Sequence, residues 1–337
     1  MFKIQINQSG KAYQTSNNKI LKAPQRCGVS IGNLIGSIDS NGMLQFPVSF
    51  EGIDFSGVED ISNSALYYKF YNLNGPIGPV NFPDLEDISG QYGLGYSFYA
   101  NKGVTSVSFP SLTTVSGQYA LSNSFTNCTH LTSCSFPELV SVSGTYAMNG
   151  TFQSCPIISA SFPKLTTISG ERGMNGVLSS ASSLISISFP LLQTISSVNG
   201  LSSAFGSTLL TSVEFPELTT VSGNSALASC FSYCPNLTTI RFPKLNDISG
   251  TSTFSSCFNN CQRLTDVYFN GLTTTSFGSN INQFNGIFNS NTGSTSLAFT
   301  MHFPSNLSST ISGLTGYPNF GATAGRLTLA FDLPATS

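Results

Sequence analysis

Apolar residues recur along this chain in one order, and the order repeats. Leu131, Cys134, Phe136, Leu139 and Val142 form one instance, and Leu237, Ile240, Phe242, Leu245 and Ile248 form another. Within each instance the segment TSCSF or TTIRF alternates with period two, which predicts a short strand sending Cys134 and Phe136 inward and Ser133 and Ser135 outward. The surrounding phrase SFPELVSVSG returns as SFPSLTTVSG, SFPKLTTISG, EFPELTTVSG and RFPKLNDISG. Its phenylalanine recurs as Phe55, Phe82, Phe109, Phe136, Phe162, Phe189, Phe215, Phe242 and Phe269, at intervals of 27, 27, 27, 26, 27, 26, 27 and 27. A steady period of this size predicts a solenoid, because one copy cannot bury its apolar face alone and must stack on the next.

Punctuation within the copy fills in the rest of the coil. Pro follows Phe in most copies and, lacking an N–H, stops the strand ladder at one level. The Ser-Gly that closes most copies reads as a turn where a positive φ costs little. The segments YALSNSF, YAMNGTF, SALASCF and STFSSCF between that turn and the next strand read as a short helix or helical turn with its aromatic facing the core. The expected fold is a repeat solenoid of 26–27-residue coils, with a parallel β-sheet on one face, short helices or turns on the other, and a cap at each end. The division expected is an N-terminal β cap or attachment element at 1–50, the repeats at 51–276, and irregular coils with a C-terminal cap at 277–337. Phe2, Ile4 and Ile6 alternate as in a strand, and the rhythm after Phe269 stretches to Phe303 and returns at Phe331.

The run Phe-x-x-Cys-x-x-Leu, followed by an inward strand residue, Phe-Pro and Leu, occurs at Phe125 to Leu139 and at Phe231 to Leu245. It resembles the leucine-rich repeats of the BspA-like type, in which a Cys or Asn precedes the strand. The likeness covers residues 53–276 and two irregular coils beyond. It implies a leucine-rich-repeat stack with a recognition role, often adhesive, and no shared ligand. Ala181 and Thr208 replace the Cys in two copies, so that ladder is incomplete.

Composition narrows the function classes. Only 8% of residues are charged against 40% hydrophobic, so Ser, Thr and Asn must carry the surface. With 13 Lys+Arg, 15 Asp+Glu and no basic run, nothing supplies the phosphate-neutralising stripe of a nucleic-acid binder. No apolar run approaches a membrane span, and the start MFKIQINQSG shows no secretory leader. No catalytic fingerprint is present, His130 and His302 belong to no metal or nucleophile motif, and the chain reads as a non-enzyme without a cofactor.

Two constellations stand out. Cys230 and Cys234, then Cys257 and Cys261, repeat at a spacing of four, one coil apart, which brings four thiols near each other and admits a zinc site or disulfides. The competing reading is that Cys128, Cys155, Cys234 and Cys261 are small buried hydrophobes in one repeated slot before the strand. The sharper lead is the outward strand face. One column runs Ser108, Ser135, Ser161, Ser188, Glu214, Arg241, Tyr268, and its neighbour runs Ser106, Ser133, Ser159, Ser186, Ser212, Thr239, Asp266. Glu214, Thr239, Arg241, Asp266 and Tyr268 therefore form the candidate ligand-binding site, an aromatic platform with flanking charges, set against a simple Glu214–Arg241 cross-strand pair. Glu138 with Lys164 and Glu217 with Lys244 read as structural pairs.

The expected role is recognition or adhesion, with a cell-surface polysaccharide or protein receptor as partner and no nucleic acid. Composition and the missing leader resemble virion-borne proteins of phage tails, baseplates or head fibres, with residues 1–50 docking to other virion proteins. The alternatives are a bacterial or protist BspA-like surface adhesin and a purely structural spacer. Location on a virion or an extracellular surface follows from either adhesive reading, and both admit a homo-oligomer.

Overall fold

The computed structural model describes residues 52–335 apart from 62–63, 65, 73–74, 278–281, 285, 289–297, 315–316, 318–319 and 321–325, and adds five backbone strands within the first 45 residues. The repeats build a stack of coils in which each regular period contributes short strands and a wall of turns. The first strand ladder runs in parallel through Ile53–Asp54, Gly78–Asn81, Val104–Ser108, Ser133–Ser135, Ser159–Ser161 and Ser186–Ser188. It resumes as a second sheet of Ser212–Glu214, Thr239–Arg241, Asp266–Tyr268, Phe299–Pro304 and Leu327–Leu333. Another parallel ladder, Thr114–Val115 to Thr220–Val221, follows the Phe-Pro turn. At the N-terminal end, Gly28–Ile31 pairs antiparallel with Ile53–Asp54 and with Lys3–Ile6, so antiparallel strands extend the edge of the first coil.

The core is a set of side-chain columns along the stack. Phe82 stacks on Phe109 with ring centroids 4.8 Å apart, Phe109 on Phe136 at 5.0 Å, and Phe162 on Phe189 at 5.2 Å. The column continues across the stretched interval, Phe269 to Phe303 at 5.6 Å and Phe303 to Phe331 at 5.9 Å. A second column from the turn wall, Phe70, Phe98, Phe125 and Phe152, meets the first edge-on, as in Phe109 against Phe125 at 77°. Each such ring contributes about 1.5–3 kcal/mol by burial.

Between the strands the chain forms successive turns rather than a helix, which settles the choice between helix and turns. Ala120, Ser122, Ser124 and Thr126 each donate to the carbonyl three residues back, while Tyr119, Leu121, Asn123 and Phe125 donate to the next coil. Backbone N–H groups thus alternate between a local turn and the neighbouring coil, a pattern that no α-helix can satisfy. It needs left-handed residues at three slots four residues apart, such as Tyr119 (φ 57), Asn123 (φ 52) and Asn127 (φ 60). Among the described residues the only helical segments are Ser305–Leu307 and Ser308–Ser312. No helix there is long and apolar enough to cross a membrane.

The closing glycines also differ from expectation. Gly117, Gly144, Gly170, Gly223 and Gly250 do not have positive φ. They are glycine because backbone meets backbone: a Cβ on Gly144 would lie 2.2 Å from the carbonyl oxygen of Gly117, and one on Gly170 would lie 2.1 Å from that of Gly144.

The two 26-residue intervals leave a mark on the sheet. Cys128-Thr129-His130-Leu131 becomes Cys155-Pro156-Ile157, and a like deletion gives Thr208-Leu209-Leu210, so the lead into the strand loses one residue. At the first site only Ser133 and Ser159 remain in register, and at the second Ser212–Glu214 does not join Ser186–Ser188. A strand whose lead is short enters out of step with the coil below.

Candidate functional site on the outer strand face

The outward column of the C-terminal strands is built by register alone. Glu214 lies beside Arg241, Arg241 beside Tyr268, and Tyr268 beside His302. In the next column Thr239 lies between Ser212 and Asp266. The five sequence-selected residues are therefore on one surface, with Glu214 and Arg241 exposed and Thr239, Asp266 and Tyr268 half-buried. His302 joins them. It escaped the sequence reading because the interval from Phe269 to Phe303 exceeds the repeat, so the 27-residue frame ends one rung too soon.

The side chains do not pair as the sequence suggests. Arg241 makes no ion pair with Glu214; its guanidinium carbon lies over the Tyr268 ring, 3.9 Å from the centroid. On the other side His302 stacks on Tyr268 at 4.2 Å and 8°. With both ring faces covered, Tyr268 is not a platform for a ligand. It is the middle of a rod of arginine, tyrosine and imidazole, in which the cation–π contact fixes a long side chain. Arg241 makes no hydrogen bond to the described residues, so its planar fork of donors keeps the shape that takes a carboxylate.

His302 ties three strands together. Its Nε2 lies 3.0 Å from Asp266 Oδ1 and its Nδ1 lies 2.9 Å from Asp332 Oδ2. Burial of Asp266 acts to raise its carboxyl, but hydrogen bonds from Thr265 and His302 and the charges of His302 and Arg241 outweigh it, and the group sits below its ordinary value. A depressed carboxylate stabilises the fold above its unfolded value, and the contribution is lost as pH falls through the folded value. Asp266→Asn is expected to lower stability at pH 7 by under about 1 kcal/mol. The difference from wild type should close as the pH falls below about 4. Urea midpoints of both proteins across pH test this, and a difference that persists unchanged in acid would refute a charge contribution.

The remaining selected residues have structural surroundings. Cys128, Cys155, Cys234 and Cys261 each donate from Sγ to a phenylalanine carbonyl of the preceding coil, for example Cys155 to Phe125 at 2.9 Å and Cys261 to Phe231 at 3.0 Å. Asn101 fills the same slot, its Nδ2 donating a hydrogen bond to the Phe70 carbonyl at 3.1 Å. Burial raises the thiols of Cys230, Cys234, Cys257 and Cys261, which favours the neutral form over the thiolate a metal needs. Among the described residues all cysteines are free, and no group of three or more His, Cys, Asp or Glu is placed to hold a metal ion. The pairs Lys164–Glu138 at 2.5 Å and Lys244–Glu217 at 2.7 Å link successive coils beside the Phe-Pro turn. His130 is an exposed loop residue whose Nδ1 faces Thr129 Oγ1 at 3.3 Å.

The outer face also carries a hollow of about 460 Å³, away from the charged rungs. It opens beside the first shortened coil and is lined by Ser135, Ser161 and Ser188 with Phe136 and Ile187. Cys134 is half-buried at its lining, and burial together with the neighbouring Cys155 pushes its thiol up to about 12, so it is not a nucleophile there.

Comparison with known proteins agrees with this architecture. A family model described as a BspA type leucine-rich repeat region of 6 copies matches residues 56–172, 94–231 and 176–309. No curated protein matches the chain. Among solved structures, the crystal structure of the pneumococcal vaccine antigen PcpA is similar over 89% of this chain and 82% of that one, with 13% identity and a TM-score of 0.35. A likeness at that level says nothing about what this chain binds.

Proposed function

The chain belongs to the BspA-type leucine-rich repeat family, and from that premise we propose that it is a non-enzymatic recognition protein, adhesive in use, whose C-terminal strand face holds a carboxylate-bearing partner at a cell surface. The observation that supports this reading is Arg241, held over the Tyr268 ring with Glu214 beside it and no hydrogen bond from its donors to the described residues. An acidic surface polysaccharide and an acidic protein loop present the same chemistry to that fork. Family membership favours an adhesin of a cell surface. A virion-borne attachment protein rests on the composition, the absence of a visible leader and the N-terminal β element, and would be found in the mass spectrum of purified particles.

The test is binding of the purified protein to bacterial cells and to a panel of acidic and neutral surface polysaccharides, with Arg241→Ser and the fourfold variant Glu214, Arg241, Asp266 and Tyr268 to Ser beside wild type. Arg241→Ser is expected to weaken binding at least tenfold, since a bond to a charged group is worth about 1.5–3 kcal/mol, with thermal stability little changed. Equal binding by wild type and both variants would overturn the assignment of this face, and no binding by any form would leave the solenoid a structural spacer.

A further inference from the structure

The turn wall of the first coils is paved with tyrosine, and the strand-face reading does not use it. Three rows run along the stack. Tyr92, Tyr119 and Tyr146 stack at 5.0 Å per step, with interplanar angles of 3° and 19°. Tyr68 stacks on Tyr96 at 4.9 Å and 8°. Tyr71 stacks on Tyr99 at 5.4 Å and 8°. The rows touch sideways, Tyr96 against Tyr99 at 5.7 Å and Tyr67 against Tyr92 at 4.9 Å. Together with Tyr67 these rows hold eight of the chain's 12 tyrosines.

Their backbone gives an independent reason to look for a role. Tyr68, Tyr92, Tyr96, Tyr119 and Tyr146 all have φ between 53° and 59°. That region is costly for a bulky residue and cheap for Gly or Asn. The same slots in other coils need no aromatic: the Tyr96 slot continues as Asn123, Gly150, Gly176, Ser203 and Ser229, and the Tyr92 slot continues past Tyr146 as Arg172, Asn199, Ser225 and Ser252. The rings are not in the core: Tyr68 and Tyr71 are 43% and 44% exposed, and Tyr67, Tyr92, Tyr96, Tyr99, Tyr119 and Tyr146 are half-buried. Aromatic residues placed against local preference and outside the core mark a surface that meets something.

The plate also restricts its occupant. Ring faces are covered by the stacking, so what faces outward is the positive ring edge and the phenol hydroxyl. Side-chain amides extend the same rows, with Asn123 Nδ2 3.1 Å from the Tyr96 hydroxyl, Asn127 Nδ2 3.4 Å from that of Tyr99, and Gln91 joined to Gln118 at 3.1 Å. Such groups meet oxygen atoms and offer no charge. Among the described residues the one cation stacked on the rows, Arg172, is set over the ring of Tyr146 at the far end, 5.3 Å from its centroid. The groups recur every 5.0 Å, about the length of one pyranose unit in an extended chain. A ligand that repeats at the same interval meets the same donors at each step.

We propose that this tyrosine plate is a second binding surface, for a neutral linear polysaccharide lying along the solenoid axis. It is independent of the Arg241 face and stands or falls separately. The chain contains no tryptophan, so its ultraviolet fluorescence reports tyrosine, two thirds of it on this plate. Titration of the full chain with a soluble neutral β-glucan, a neutral galactomannan and a soluble α-glucan should perturb the emission with at least one of them, and the same polymer should retard the protein in an affinity gel. The variant Tyr68→Ser/Tyr96→Ser installs the residue that Ser203 and Ser229 already place in this slot, so it should fold at least as well as wild type. It is expected to lose tenfold or more in affinity, while Arg241→Ser retains it. Absence of retardation by all three polymers, equal binding by the double variant, or self-association of wild type that the double variant abolishes would each overturn the proposal, the last by making a second copy the occupant.

Discussion

Phe189→Ala is expected to cost about 3–5 kcal/mol of stability, the usual penalty for emptying an aromatic site in a core. The ring is 1% exposed and stacks between Phe162 at 5.2 Å and Phe215 at 5.8 Å. It also occupies a weak joint, since the strand that leads into it, Ser186–Ser188, does not pair with Ser212–Glu214. Across that joint the outer sheet contributes no ladder, and the coupling is carried by the core columns, the short inner ladder and the turn-wall hydrogen bonds, such as Leu201 N–H to Ala226 and Phe205 N–H to Cys230. In a stack where each repeat meets only its neighbours, weakening one interface uncouples the two sides. The variant should therefore unfold in two urea transitions where wild type shows one. A single transition with a loss under about 1 kcal/mol would show that the column is not the link. Ser188→Ala, on the outward side of the adjoining strand, serves as the comparison and should stay within about 0.5 kcal/mol.

Gly144→Ala should be nearly as damaging through the opposite physics, insertion instead of removal. The added methyl would sit 2.2 Å from the Gly117 oxygen and 2.7 Å from its carbon, both backbone atoms that cannot rotate away. The coils must separate locally, which lengthens hydrogen bonds on the turn wall. A destabilisation of about 3 kcal/mol or more is expected, at the upper end of overpacking. Gly75→Ala is the contrast, because its methyl would meet nothing within 4 Å, and it should be nearly neutral. The chain itself indicates a rescue. Ser197 holds a side chain in the glycine column, and the residue facing its hydroxyl is Gly200, where other coils have Ala120, Ala147 and Ala226. Gly144→Ser combined with Ala147→Gly should therefore recover part of what Gly144→Ser loses. Thermal melting of the single and double variants decides it, and equal melting points would refute this account of the column.

Much of the candidate site was legible because it depends on register. Glu214, Arg241 and Tyr268 follow one another at the repeat interval, and parallel strands set residues so spaced side by side. What was not legible is the direction each side chain takes. Glu214 and Arg241 have opposite charge and adjacent positions, yet the guanidinium lies over Tyr268, because at an exposed site a cation–π contact is worth about as much as a solvated ion pair and opposite charge alone does not decide the direction. His302 and Asp332 lie beyond the regular period, and only the folded chain brings them to Asp266. The tyrosines were visible as letters in ALYYKFYN, QYGLGYSFYA and TYAM, but the intervals between their rows become a surface only when the turns set them outward.

By itself the sequence determined the solenoid, its period, the inward phenylalanine columns and the outward strand columns. Periodic apolar spacing is a local property, and copies that contact only their neighbours must repeat whatever one of them does. The tertiary structure decided the rest: turns in place of helix, glycine for closeness in place of φ, the covered ring of Tyr268, the joint at Ser188 and the tyrosine plate. These depend on how closely one backbone approaches the next and on a single residue lost from a loop, and neither distance nor register at that scale is written in the spacing of hydrophobic residues.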